Sequence, residues 1–223
     1  MNIKTNGSFS KTQIKKGIVI IVLFVLLRAL ITKLWGDYFG LKYECSLLFV
    51  FFLFNAFLVT SVILVYIGFT KWVGIELKKL WYDREKFLID IGWGILGFII
   101  AFVSLFIIAI IASMLGFIPT EITAVQLSPI QYLLSLFFGF AIAAFQEETI
   151  FRGFLQNIFT ERFGNWYGNV PQAIIFSICH IGYYPLSSWY LFIIAFINGI
   201  IFGWLKMKRG TLIAPAIAHG LIG

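Results

Sequence analysis

From Leu88 to Phe117 the chain runs apolar for 30 residues, longer than the ~20 a helix needs to cross the hydrocarbon core of a bilayer. In lipid, such a segment must satisfy its backbone polar groups internally, which leaves a helix as the structure open to it. The excess length permits tilt or an interfacial extension. Other apolar runs read the same way: Gly17–Leu34, Cys45–Phe69, Pro129–Ile158, Val170–Tyr184, Trp189–Leu205 and Thr211–Gly223. The expected fold is all-α, a polytopic transmembrane helical bundle of about seven helices. Composition agrees, with 61% hydrophobic and 12% charged residues where a soluble domain carries about 25% charged. The 26 phenylalanines suit lipid-facing surfaces and aromatic packing between helices.

The net charge of +7 does not point to nucleic acid, because the basic residues lie in short loops and set topology. Lys4, Lys11, Lys15 and Lys16 precede the first run. Lys71, Lys78, Lys79, Arg84 and Lys86 lie between the second and third, Arg162 after the fourth, and Lys206, Lys208 and Arg209 between the last two. Residues 118–128 and 181–188 contain no Lys or Arg, and Lys33 and Lys42 are balanced by Asp37 and Glu44. The positive-inside rule therefore predicts a multi-pass plasma-membrane protein with a cytoplasmic N-terminus. The tail and first run have a signal peptide's charged and apolar regions, but no small-residue cleavage site follows and Arg28 interrupts the run. A retained first helix is expected. The last run is short, rising only about 20 Å as helix.

No repeat, low-complexity tract or soluble linker divides the chain. One integrated membrane domain is expected, with helices 1–3, the tail and the basic loop in residues 1–128 and helices 4–7 in residues 129–223. Cys45 and Cys179 lie on separate runs and form no disulfide or metal-type spacing. Cys179 and His180 are adjacent and would point about 100° apart on a helix, so both cysteines read as packing residues.

The fourth run breaks the apolar pattern. Its stretch FAIAAFQEETIFRGFL, Phe140–Leu155, carries Glu147, Glu148 and Arg152, and each such group at the centre of a bilayer costs roughly 2.5–3.5 kcal/mol. Glu148 and Arg152 are spaced i, i+4, where side chains meet on one helix face. Glu147 points away from Glu148, so one carboxylate can be paired while the other faces a cavity. The chain's two histidines, His180 and His219, also lie in apolar runs. Counting 1.5 Å per residue from the cytoplasmic ends, Glu147, His180 and His219 all fall about 12–16 Å into the membrane. A lone histidine there could simply bond a backbone carbonyl, and Glu148–Arg152 could be helix-packing glue with Glu147 a bystander. The shared depth of three separate segments favours a common site instead.

The chemistry on offer is acid–base work on a water. A desolvated glutamate can act as general base near neutrality, and a histidine can donate to an oxyanion. The HExxH pattern of zinc proteases is absent, as are a GxSx nucleophile turn and paired aspartates on separate helices.

These residues resemble a known family. Glu147-Glu148-Thr149-Ile150-Phe151-Arg152-Gly153 fits an EExxxR motif, and Phe176 to His180 fits FxxxH. Phe196 to Gly203 fits FxxGxxxG, and His219 stands where the last motif has its histidine. In this order the motifs resemble the CAAX-processing and bacteriocin-processing (CPBP, or Abi) intramembrane proteases over about residues 130–223. The resemblance implies a catalytic core in helices 4–7 that hydrolyses a peptide bond inside the membrane. Position by position, Glu147 would activate the water and His180 would help to position it. Glu148 and Arg152 would organise the site, and His219 would line the oxyanion region. No cofactor is expected, and a divalent metal is left open. Gly199 and Gly203 are expected to let helix 6 approach a neighbour closely.

One position departs from the family pattern. The last motif usually has an Asn four residues after its histidine, and here that place is Gly223, the final residue. A shortened chain, replacement by Asn198 on helix 6, or a divergent non-cleaving member would each account for it. The expected function is a bacterial-type intramembrane glutamic endopeptidase acting on a membrane-associated peptide or protein. The main alternative is a non-catalytic bacteriocin self-immunity or scaffold protein, which the missing Asn favours. A proton or ion transporter is a weaker alternative, since no corresponding pair of Gly/Pro-broken segments appears.

Overall fold

A computed structural model describes residues 9–39, 55, 56, 58–117, 128–181, 184 and 186–222. Gly223, and with it the position expected for the family's Asn, lies outside the described residues, as do residues 45–54 of the second apolar run. The described residues are helical without a strand, as the apolar runs predict.

Helix α1 spans Lys11–Phe39 and starts six residues before the apolar run that begins at Gly17. A capping box is the reason: the Ser10 N–H donates to Gln13 Oε1 at 3.0 Å and the Gln13 N–H to Ser10 Oγ at 3.2 Å. Helix α2 (Ser61–Val73) uses the wider i→i+5 hydrogen bonding and ends at Gly74, whose φ of 80° suits a residue without Cβ. The short α3 (Leu77–Trp81) and a turn lead into α4 (Phe87–Met114). Helix α5 is continuous through Pro129–Phe138, Gly139–Ala144, Phe145–Glu147, Glu148–Leu155 and Gln156–Phe163. Its hydrogen bonding alternates between i→i+4 and i→i+5, and wide turns of this kind occur preferentially at functional sites. Helices α6 (Asn165–Ile178), α7 (Trp189–Arg209) and α8 (Ile213–Ile222) complete the described chain.

One boundary differs from the sequence expectation in a way that matters. The fifth run was expected to be helical to Tyr184, with His180 inside it. Helix α6 instead stops at Ile178, and His180 sits in the tight turn that follows, where its N–H donates to the Ser177 carbonyl at 3.0 Å. A helix's last carbonyls commonly find such i→i+3 partners.

Helix α4 is packed small side in. Asp90, Gly94, Gly97 and Ala101 are buried, while Leu88, Ile95, Ile99, Phe102, Phe106 and Ile110 are exposed. Alkyl chains of lipid are as apolar as leucine, so membrane helices gain by close backbone approach through small residues rather than by hiding large ones. A Cβ on Gly94 would meet Ile217 at 2.6 Å, and one on Gly97 would meet Leu205 at 2.4 Å. Helix α4 is therefore held tightly against α7 and α8. Among the described residues, Phe87–Met114 and Leu186–Arg209 are long and apolar enough to cross a membrane.

The buried apolar residues form two clusters. The first joins α1, α2 and α5 through Ile20, Phe24, Val65, Phe69, Phe151 and Phe154, and includes Phe176 of α6. The second joins α4, α7 and α8 through Ala101, Ile201, Phe202, Leu205, Ala214 and Ala218. The polar residues of α5 lie between them.

Candidate active site

Arg152 is fully buried, and its guanidinium lies 4.2 Å from the Phe176 ring centroid and 5.3 Å from that of Phe202. It thus bridges the two apolar clusters, with each ring face offering the partial negative charge that a cation seeks. Its Nη1 donates to Glu148 Oε1 at 3.0 Å, so the predicted i, i+4 pair is formed. Helix α8 adds a second donor to the same oxygen, His219 Nδ1 at 2.7 Å. A carboxylate only accepts, which assigns the proton to Nδ1 and turns Nε2 of His219 towards Glu147, 3.7 Å from its Oε2. The His219 ring is stacked on Phe202, with centroids 5.1 Å apart and planes 18° apart. Glu148 and Phe202 together fix the orientation of the imidazole, as a carboxylate partner does for many functional histidines.

Glu147 is paired as well. Its Oε1 accepts a hydrogen bond from Nη1 of Arg28, which reaches it from α1. Oε2 is buried without a hydrogen-bond partner, as is Oε2 of Glu148. His180 Nδ1 donates to the Phe176 carbonyl at 2.8 Å, and the ring stacks on Tyr184 at 5.2 Å. Glu147 lies within electrostatic reach of Arg28, His180 and His219 together. Four of the five sequence-predicted site residues, Glu147, Glu148, Arg152 and His219, are thus joined by direct contacts, and His180 stands beside them.

Two features of the site escape the sequence reading. Arg28 reads in the sequence as a charge interrupting the first apolar run, and an arginine within such a run is itself a signal that a partner exists. Both glutamates also have an arginine partner, Arg28 on Glu147 and Arg152 on Glu148, where the sequence supplies one only for Glu148. Asn198, the proposed substitute for the absent Asn, is half-buried on α7, one turn from Phe202, and makes no hydrogen bond to the cluster among the described residues. Among the described residues, no group of three His, Cys, Asp or Glu side chains is arranged to hold a metal ion.

The FxxGxxxG glycines work one layer away. A Cβ on Gly203 would fall 1.8 Å from Asn169 Oδ1, and one on Gly199 would fall 2.9 Å from Ala173 Cβ. Their absence lets α6 and α7 touch, and buried amides fill the seam. Gln172 Nε2 donates to the Gly199 carbonyl, Asn169 Nδ2 to that of Ile200 and Gln156 Nε2 to that of Gly203, at 2.9–3.0 Å. This seam holds Phe176 and Phe202 against Arg152.

Residues 129–223 match the family model described as type II CAAX prenyl endopeptidase Rce1-like. The chain is also 29% identical over 89 residues to an uncharacterized 24.3 kDa protein of Escherichia coli. That alignment covers 39% of this chain and 40% of the relative's own length. No solved structure matches significantly. The matched residues contain Glu147, Glu148, Arg152, His180 and His219 but not Arg28. The segment 129–223, helices α5 to α8, is thus similar to the Rce1-like family of CAAX-protease type, the group its four motifs resemble.

Proposed function

We propose that the protein is an intramembrane endopeptidase in which Glu147 activates a water to hydrolyse a peptide bond of a membrane-associated peptide or protein. The observation that carries this reading is the meeting of Glu147 and His219, from α5 and α8, with the His219 ring oriented by Glu148. Oε2 of Glu147 is the oxygen with capacity to accept a proton. The water gives a proton to that oxygen and its hydroxide adds to the carbonyl carbon. The carbonyl oxygen becomes an oxyanion next to His219, whose Nε2 donates to it when the ring carries a second proton beside the one held by Glu148. Collapse of the adduct breaks the C–N bond, and the acid form of Glu147 returns the proton to the leaving amine. His180 helps to position the water, while Glu148 and Arg152 hold the site. Asn198 is a candidate for an additional oxyanion donor, one turn from Phe202.

The same reading places the chain in a bacterial plasma membrane as one domain of about seven spans, N-terminus in the cytoplasm, with no nucleic-acid partner. No step draws on a cofactor, and chelation by EDTA is expected to leave cleavage within about twofold; a larger loss would assign a divalent metal to the site. The test compares wild type, Glu147→Gln and His180→Ala in lipid nanodiscs. The probes are a farnesylated peptide ending in a CAAX sequence and membrane-associated precursor peptides, with folded protein quantified alongside. Loss of cleavage per folded molecule supports the reading. Full cleavage in both variants sinks it and leaves a self-immunity or scaffold role as the better account.

A further inference from the structure

The family match begins at residue 129, yet the side chain that touches Glu147 most closely comes from α1. Gly17, Ile20, Phe24 and Arg28 follow one another at helical spacing on a single face of α1. That face descends α5 in antiparallel order. A Cβ on Gly17 would lie 2.0 Å from the Phe154 ring, so the missing side chain sets the distance between the helices. Phe24 packs edge-on against Phe151 at 6.4 Å, and Arg28 then meets Glu147. Arg28 is therefore the last rung of a register fixed by the contacts above it, with its guanidinium 5.9 Å from the Phe24 ring centroid. Its side chain is 11% exposed and that of Glu147 is 3% exposed, so the pair meets away from water.

We propose that Arg28 is a positioning residue of the active site: by engaging Oε1 of Glu147 it holds the carboxylate in place and turns Oε2 towards His219 as the oxygen that accepts the proton. The N-terminal helix thereby completes a site whose other members all lie in the family segment. This rests on the hydrolytic reading above. The planar guanidinium of Arg28 lies by the Phe24 ring while one of its nitrogens meets Glu147, whereas a lysine ammonium is a point charge on a flexible stem, so the two are not equivalent here.

The test uses the full chain in nanodiscs as wild type, Arg28→Lys, Arg28→Met and Glu147→Gln, with the farnesylated CAAX peptide and the membrane precursors as probes. A misplaced catalytic group costs roughly 10²-fold. Arg28→Met is expected to lose about that much in kcat per folded molecule, with KM changed less than about threefold. Arg28→Lys, which keeps the charge and guards against a folding failure, is expected to fall between Arg28→Met and wild type. A second readout needs no turnover: dicyclohexylcarbodiimide, which modifies buried carboxyls lacking a counter-ion, should label Glu147 in Arg28→Met and spare it in wild type. Wild-type kcat in Arg28→Met with Glu147→Gln inactive would overturn this proposal alone. Wild-type cleavage by Glu147→Gln would remove the hydrolytic reading and this proposal with it. If wild type cleaves neither probe, the labelling decides, and equal labelling of the two chains refutes the pairing.

Discussion

Two regions of the described residues hold buried ion pairs, one at Asp90 and one at Glu147 and Glu148, and they differ in how completely their carboxylates are used. Asp90 of α4 accepts from Arg209 Nε at 2.6 Å through Oδ1 and from the Thr211 hydroxyl through Oδ2. Both oxygens are taken, and the pair clasps α4 to the turn between α7 and α8. Glu147 and Glu148 each commit one oxygen and keep the other buried without a partner. A fully satisfied polar cluster rigidifies, whereas a buried acceptor left unused costs stability and needs another reason to exist. The Asp90 clasp is structural glue. The α5 cluster, with two histidines beside the unused oxygens, is where chemistry is expected.

Substitutions at the two sites sharpen that contrast. Glu147→Gln is expected to lower cleavage by roughly 10²–10⁴-fold per folded molecule. The amide still offers Arg28 an oxygen, so membrane insertion should survive; stability alone is no clean discriminator here, and activity must be referred to folded protein. Asp90→Ala should do the reverse. It strands Arg209 and costs about 3–5 kcal/mol, read as a fall in thermal midpoint, while the folded fraction cleaves as wild type does. Equal loss of specific activity in both variants would erase the distinction between glue and site.

A smaller effect is expected at the α6–α7 seam. Gly203→Ala pushes a methyl into Asn169 and Gln172, and overpacking of this kind typically costs 1–3 kcal/mol. Because the seam supports Phe176 and Phe202, cleavage should fall along with the midpoint. The smallest effect belongs to Trp81→Phe, which removes the 2.9 Å hydrogen bond from the indole to Thr149 Oγ1. A loss of about 1 kcal/mol is expected, with kcat unchanged. A large kcat change there would extend the site to α3.

Much of the helical pattern was legible because hydropathy is local. The third run, Leu88–Phe117, became α4 at Phe87–Met114 almost residue for residue. Boundaries set by side-chain caps were less visible: Ser10 and Gln13 moved the start of α1 back from Gly17 to Lys11. The turn at His180 has its sequence signal in Gly182 and Pro185 just beyond it, which the hydropathy of the run masks. Glu148–Arg152 and Gly199–Gly203 could be read from spacing, since residues four apart on a helix share a face whatever surrounds them.

The sequence by itself determined most of the helical runs, the buried charges of Phe140–Leu155 that demand partners, and the order of motifs by which residues 129–223 resemble their family. Each of these depends on near neighbours in the chain. Tertiary structure alone decided which distant partners the charges found. Arg28 with Glu147 and Arg209 with Asp90 are each separated by 119 residues, and only the packing of α1 on α5 and of α7 on α4 brings them together. A periodic pattern states that a charge must be compensated; the crossing of two helices states by what.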